Sequence, residues 1–299
     1  MFLMKIPFVF AALFLGVAAA PALACEKPGN VMQSPLALPM DSALNVKSMD
    51  GVFVVAPDEC AEPLYRVVFP KQLEAAESGN VAAMDVVGLM YAAGAGTARD
   101  WKAAHAWLQR AAAAGSVSAQ YRLGIMFQFG HGVDANLPRA IEWYRAASDK
   151  GLAWATTNIG VMALNGTGMP ADPAEAARLF ELARQQGDPE ATANLAVIHA
   201  RALLGGEPDF VRAFGLAKEA AQGGSIPGMR LLGYSYANAL GTQQDLETAY
   251  VWASLAAERG DGMAAQLVSK IAPSLSSDAR SSAKRRLKVC MEKGAKLCV

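Results

Sequence analysis

Six glycines recur at nearly constant intervals: Gly79, Gly115, Gly151, Gly187, Gly224 and Gly260 are separated by 36, 36, 36, 37 and 36 residues. A period of that length means that one supersecondary unit is copied along the chain and that each copy buries its apolar face on its neighbours. Four further columns keep the same beat. A small residue stands at Gly88, Gly124, Gly160, Ala196 and Gly233, preceded in turn by Val87, Leu123, Ile159, Leu195 and Leu232. An alanine recurs at Ala104, Ala140, Ala176, Ala213 and Ala249, with Trp107, Trp143, Leu179, Leu216 and Trp252 three positions on. Spacings of three and four put these residues on one buried stripe per helix, so each unit reads as a helix pair. The small residue lets the neighbouring helix come close, and the Trp or Leu is expected to fill the groove on its partner. The expected fold class is all-α, an α/α superhelical solenoid of helix-turn-helix repeats.

Between the two helices of a unit, Gly94-Ala-Gly96, Gly130-His-Gly132 and Gly166-Thr-Gly168 supply positions free to take a positive φ, as a tight reversal requires. A lone Gly-x-Gly could cradle a phosphate, but in register with the helix columns it reads as turn chemistry. Asp100, Asn136, Asp172, Asp209 and Asp245 recur just before the second helix, where a short polar side chain caps exposed N–H groups. The fourth unit departs from the pattern. It has Ala196 in the small column, the turn Ala202-Leu-Leu-Gly-Gly-Glu-Pro208, and one extra residue. Simple drift of a surface loop accounts for it, and a partner-specific insertion is the alternative.

The ends of the chain have their own character. Residues 1–24 join one positive charge (Lys5), an apolar run and the ending Ala22-Leu23-Ala24, which reads as a signal peptide and a secreted, periplasmic destination. Cys25 follows the expected cut, so a lipid anchor at that residue is a second reading, although Ala22 stands where a bulky aliphatic residue is usual. Residues 25–62 read as an irregular arm rich in proline, with strand character at Gly51-Val-Phe-Val-Val55. Residues 63–79 read as an N-terminal capping helix whose helical pattern begins at Pro70, and 80–271 as five repeats plus a final half. Residues 272–299 read as a C-terminal capping helix, basic along Lys284, Arg285, Arg286, Lys288 and Lys293, followed by a disulfide tail. Covering the last apolar face is the plain role of that helix, and contact with an anionic partner the sharper one. In an exported stack whose ends lie far apart, local disulfides, Cys25 with Cys60 and Cys290 with Cys298, are favoured over long-range ones. Free thiols at Cys290 and Cys298 remain the alternative there.

The pattern Ala119-x-x-x-Leu123-Gly124-x-Met126-Phe127-x-x-Gly130-x-Gly132-Val133, followed by Asn136, Ala140, Trp143-Tyr144, Ala146-Ala147 and Gly151, resembles the Sel-one-like repeat (SLR), a tetratricopeptide-like unit. The resemblance covers residues 80–271. It implies binding rather than catalysis: exported bacterial relatives imply roles in envelope assembly, host contact, polysaccharide export or restraint of a membrane receptor. If the stack curves as its relatives do, the first helices line a concave groove. Positions three before, one after and four after the small residue are then expected to face a protein or peptide partner of the cell envelope. The candidate partner-binding residues are Asp85, Leu89, Tyr121, Ile125, Gln128, Thr157, Val161, Val197, Arg230 and Tyr234, with Ala92, Leu164, Ala193, Ala200 and Ala237 beside them.

Lys+Arg and Asp+Glu both number 27, which gives no global electrostatic footprint for nucleic acid. His105, His131 and His199 share no metal-ligand spacing, and no nucleophile elbow, phosphate loop or zinc-protease motif occurs. No catalytic residue, cofactor or metal is therefore expected. The function expected is that of an exported interaction scaffold, with an envelope hydrolase of cell-wall or β-lactam substrates and a lipid-anchored assembly factor as the alternatives.

Overall fold

The computed structural model describes residues 62–295 and 298, so the signal, the arm with its Gly51–Val55 run, and Cys25 and Cys60 lie outside the described residues. Thirteen α-helices follow one another there, and no strand occurs among the described residues. Helix α1 (Glu62–Glu77) precedes five helix pairs. These are α2 (Val81–Ala93) with α3 (Trp101–Ala113), α4 (Val117–Phe129) with α5 (Leu137–Ser148), and α6 (Ala153–Asn165) with α7 (Pro173–Gln185). Then come α8 (Pro189–Ala200) with α9 (Phe210–Gln222) and α10 (Ile226–Asn238) with α11 (Leu246–Glu258). The chain ends with α12 (Gly262–Ile271), a short 3₁₀ turn (Ala272–Ser274) and α13 (Ser277–Lys293).

The glycine columns have a steric basis. A Cβ on Gly88 would lie 2.7 Å from Leu108 Cγ, one on Gly124 2.5 Å from the Tyr144 ring, and one on Gly160 2.6 Å from the Phe180 ring. The residue that fills the space beside the glycine is therefore Leu108, Tyr144 or Phe180, and not Trp107, Trp143 or Leu179 one position earlier. Both neighbours lie on the buried side of the second helix, but only the one four residues after the column alanine points at the first helix of its own unit. In the fourth unit both sides are small, Ala196 and Ala217, within a single core cluster. In the fifth, Gly233 sits 3.0 Å, measured from its would-be Cβ, from the backbone nitrogen of Ala253.

The second glycine of each turn does more than turn. A Cβ on Gly96 would fall 2.2 Å from the carbonyl oxygen of Tyr65, on Gly132 2.3 Å from that of Trp101, and on Gly241 2.0 Å from that of Phe210. Gly168 meets Leu137 in the same way at 2.6 Å. The first turn thus docks on α1, and the second, third and fifth on the first residue of the preceding second helix. The fourth turn does not: Gly205 and Gly206 have open space around them, and the backbone instead bends through Ala202 at φ 50°. The expected caps are in place, with Asp100, Asn136, Asp172, Asp209 and Asp245 each accepting from backbone N–H groups two or three residues on.

Helix α1 starts eight residues before the expected Pro70 and carries that proline inside it. An interior proline costs about 3 kcal/mol of helix stability. Burial of Tyr65 and Val68 against Met90 and Ala95 favours the helix against that cost. At the other end α13 folds back on α11, where Ser282 Oγ donates to Glu247 at 2.7 Å and Arg286 to Thr248 Oγ1 at 3.2 Å. Cys290 is disulfide-bonded to Cys298, with Cα atoms 5.1 Å apart, and Ala283, Cys290 and Cys298 join the core that covers the final half repeat.

Replacing Gly124 with alanine is expected to lower stability by about 1–3 kcal/mol, because the rigid Tyr144 ring must move to admit one methyl group. Urea unfolding of the two proteins measures it, and the loss should be smaller when Tyr144 is also changed to leucine.

Candidate interaction face

Successive first helices lie side by side, and polar contacts stitch them together. Asp85 of α2 accepts from Ser118 Oγ at 2.5 Å and from Arg122 Nη1 at 2.7 Å, both on α4. Asn158 of α6 reaches back to the hydroxyl of Tyr121 on α4 at 3.5 Å. Thr157 Oγ1 donates to Asp188, the residue that caps α8, and Arg230 of α10 pairs at 2.8 Å with Asp261, which caps α12. Asp85, Tyr121, Thr157 and Arg230 all stand three residues before the packing glycine. That position accordingly faces the next repeat and forms a seam, which corrects its expected place on the open groove. At the fourth repeat the position holds Ala193, and the stack closes there by backbone approach instead. A Cβ on Gly228 would lie 2.6 Å from that of Ala220.

Helix geometry locates the surface that is left. With the packing residue pointing at the second helix, the residues six before, two before, one after and five after it fall within about 60° of one another on the far side. In repeat one Leu89 is buried, Val86 and Ala93 are half-buried and Ala82 is exposed, and in repeat two Arg122 and Ile125 are buried while Ser118 and Phe129 are half-buried. In repeat three Trp154, Asn158 and Val161 are half-buried and Asn165 is exposed. In repeat four Glu190, Asn194 and Val197 are half-buried and Arg201 is exposed. In repeat five Leu231 is half-buried, Asn238 is exposed, and Tyr234 is 50% exposed.

Of the residues expected in the groove, Val161, Val197 and Tyr234 therefore share one accessible stripe. Leu89, Tyr121, Ile125 and Thr157 are buried, Asp85 and Arg230 are held in the seam, and Gln128 accepts the hydroxyl of Tyr144 at 2.6 Å. Among the neighbouring small positions Ala92 and Ala193 are buried, while Leu164, Ala200 and Ala237 keep partial exposure. The residues that the sequence reading missed are Trp154, Asn158, Asn194 and Leu231. The signal for them was present in the sequence as a column two before and six before the small residue.

The histidines stay apart from this face. His131 stacks on Trp101 with ring centroids 4.6 Å apart, His105 meets Phe127 edge-on, and burial lowers the pKa of His105 and His199. No cluster of His, Cys, Asp and Glu suited to a metal ion occurs among the described residues.

The seam contains one buried carboxyl whose titration is informative. Burial raises the Asp188 pKa, opposed by hydrogen bonds from Thr157 and from the backbone of Glu190 and Ala191. Between the ordinary carboxylate value, about 4, and the raised value, the folded chain keeps a proton that the unfolded chain has released. The group's contribution to stability is therefore present at low pH and lost as pH rises through that window. Asp188→Asn cannot ionise, so raising the pH from about 4 to about 7 should cost it less stability than it costs the parent protein. Urea midpoints at the two pH values give the comparison, and equal losses would contradict it.

The repeat profile described as "Sel1 repeat" matches residues 81–116, 117–152, 155–188, 189–225 and 226–261. Among solved structures, a Sel1 repeat protein from Oxalobacter formigenes is 30% identical, with 74% of this chain and 86% of that one covered at a TM-score of 0.63. The protective antigen c5321 of uropathogenic Escherichia coli, described as displaying an SLR fold, is 20% identical over 78% of this chain and 58% of that one, with a TM-score of 0.49. A putative Sel1 repeat protein from Klebsiella pneumoniae is 19% identical over 68% and 98% of the two chains, with a TM-score of 0.45. No curated protein matches in sequence. No helix among the described residues is long and apolar enough to cross a membrane. The repeat profile covers more than half of the chain, and the turns and packing columns give each match its physical content, so the chain belongs to the Sel1 repeat family, whose repeats mediate protein–protein interaction.

Proposed function

We propose that the protein is an exported scaffold of the bacterial cell envelope that holds a protein partner on the first-helix face of repeats three to five. The observation that carries this reading is the accessible stripe of Val161, Val197 and Tyr234 with Leu231 beside it. A half-exposed tyrosine with aliphatic neighbours is the composition expected of an interface core, since an aromatic ring supplies contact area at little entropic cost. The seam uses up the charges of Asp85, Arg122, Arg230 and Asp261, which leaves a face suited to shape and apolar contact more than to electrostatic capture. Export rests on the leader-like residues 1–24, and the cysteine pair at the C-terminus suits an oxidising compartment.

Two experiments test the reading. Val197→Glu and Tyr234→Glu, each placed on the accessible stripe, should reduce partner recovery from envelope extracts at least tenfold, whereas the buried seam variant Thr157→Ser should not. Recovery that is unchanged in both glutamate variants would remove this face from the proposal. Mass spectrometry of the mature N-terminus should find a chain beginning at Cys25 without acyl groups. An acylated Cys25 would make the scaffold membrane-anchored, and an uncleaved leader would overturn export.

A further inference from the structure

Neighbouring repeats are fastened toward both ends of their helices, with one exception. Toward the end where second helices finish and first helices begin, Asp85 holds Ser118 and Arg122, Tyr121 meets Asn158, Thr157 donates to Asp188, and Gly228 lies against Ala220 and Ala221. At the opposite end the turns dock. Gly132, Gly168 and Gly241, each eight residues after the packing residue, would bring a Cβ within 2.0 to 2.6 Å of the first residue of the preceding second helix. In repeat four that position holds Leu204. A leucine cannot enter a space that a single methyl group already overfills. The fourth turn accordingly stands away from α7: Leu204 is 50% exposed, and a Cβ on Gly205 or Gly206 would meet nothing within 4 Å. Among the described residues, the junction of repeats three and four is therefore the one between full repeats whose turn end has no backbone dock.

The other ties across this junction are weak or lie at its fastened end. Arg184 of α7 pairs with Glu219 of α9 at 2.9 Å, near the ends of their helices and so on the same side as Thr157 and Asp188. The Glu219 side chain is 51% exposed, and surface pairs of that kind are screened by water and contribute little. The apolar core also changes here. One core runs from Ala76 of α1 to Leu179 of α7, another from Ala196 of α8 to Cys298, and the small cluster between them has alanine at four of its seven buried positions. Leu203 packs on that cluster, a side-chain contact in place of the backbone dock of the other turns. Alanines bury little apolar area, so parting them costs little.

We propose that the stack is hinged between repeats three and four. The segments α1–α7 and α8–α13 move as two bodies about the Thr157–Asp188 bond, opening at the turn end, and Leu204 is the residue that keeps the hinge free. Motion of this type is absorbed by a few residues at element ends while the packed bodies on either side keep their shape. Val161 and Val197 stand on opposite sides of the junction, so the swing changes their separation and the curvature of the accessible stripe. The hinge is a property of the chain alone and does not depend on the scaffold role.

Pulsed electron paramagnetic resonance on the full mature chain tests it, with spin labels carried by p-acetylphenylalanine so that the native cysteines are untouched. Ala106, Glu142, Arg178 and Gly215 are equivalent exposed positions, each two residues after the column alanine. Labels at Glu142 and Gly215, and labels at Ala106 and Arg178, each span two repeats, but only the first pair crosses the junction of repeats three and four. Its distance distribution should be about twice as broad as that of the second pair. Replacing Ala202–Pro208 with Gly-Thr-Gly-Met-Pro-Ala, the turn sequence of repeat three, supplies a docking glycine, removes the extra residue, and should narrow the first distribution to the width of the second. Equal widths in the parent chain would overturn the hinge, and that comparison holds whether or not the grafted chain folds. A grafted chain that is folded by circular dichroism and keeps the broad distribution would overturn the assignment to Leu204 and its turn.

Discussion

Everything in this stack depends on how closely two helices of one repeat can approach, and that distance is set where a glycine meets a ring. Gly124 lies so close to Tyr144, and Gly160 to Phe180, that a single methyl group would overlap the aromatic carbons. Packed interiors do not yield to such an overlap without moving a side chain or a backbone. The same economy works between repeats. Gly96 lies against a carbonyl oxygen of α1, and Gly132 and Gly241 against those of the preceding second helix, so the turn that reverses the chain also sets how one repeat sits on the last. Two glycine columns therefore govern two distances, one inside the repeat and one between repeats.

The fourth repeat shows what happens when these devices are absent. Its turn touches nothing through Gly205 and Gly206, its seam position is Ala193, and its packing pair is Ala196 with Ala217. The stack continues because the next junction is made by small residues at very short range, with Gly228 against Ala220 and Ala221. A polar staple has been exchanged for backbone contact. The exchange keeps the first-helix layer continuous, so that Val197 and Tyr234, from repeats on either side of the change, remain on equivalent positions.

Much of the architecture was legible because glycine leaves an unambiguous mark. The beat of Gly79 to Gly260, the paired turn glycines and the caps at Asp100 through Asp245 each state a backbone requirement that few other residues meet. Side-chain direction left a weaker mark. Trp107 and Leu108, or Trp143 and Tyr144, are adjacent on the same buried arc, and periodicity cannot say which of two such neighbours meets the glycine. The same ambiguity put Asp85, Thr157 and Arg230 in the groove, although a turn of about 60° about the helix axis separates the seam from the open face. Burial of α1 past Pro70 was hidden for another reason: a local rule against proline in helices was outweighed by contacts with Met90 and Ala95, distant in sequence.

Once the seam is separated from the face, the two halves of the stack acquire different characters. In the first half, Asp85 and Arg122 neutralise each other, and the tyrosines at positions 121 and 144, with ring centroids 5.7 Å apart, are buried, with burial raising the pKa of both phenols. Such a region has spent its polar groups on itself. The hydrogen bonds of Asp85 to Ser118 and Arg122 fix how α2 sits against α4, and register is what a stack of near-identical units most needs at its start. In the second half Asn158 and Trp154 still reach back to Tyr121, while Val161, Val197 and Tyr234 keep apolar surface accessible. A scaffold must fix its own geometry before it can present a surface. In this chain the two tasks fall to different positions of the same helix: the seam residues Asp85, Tyr121, Thr157 and Arg230 lock one repeat to the next, and the positions one after the packing residue in repeats three to five leave Val161, Val197 and Tyr234 accessible.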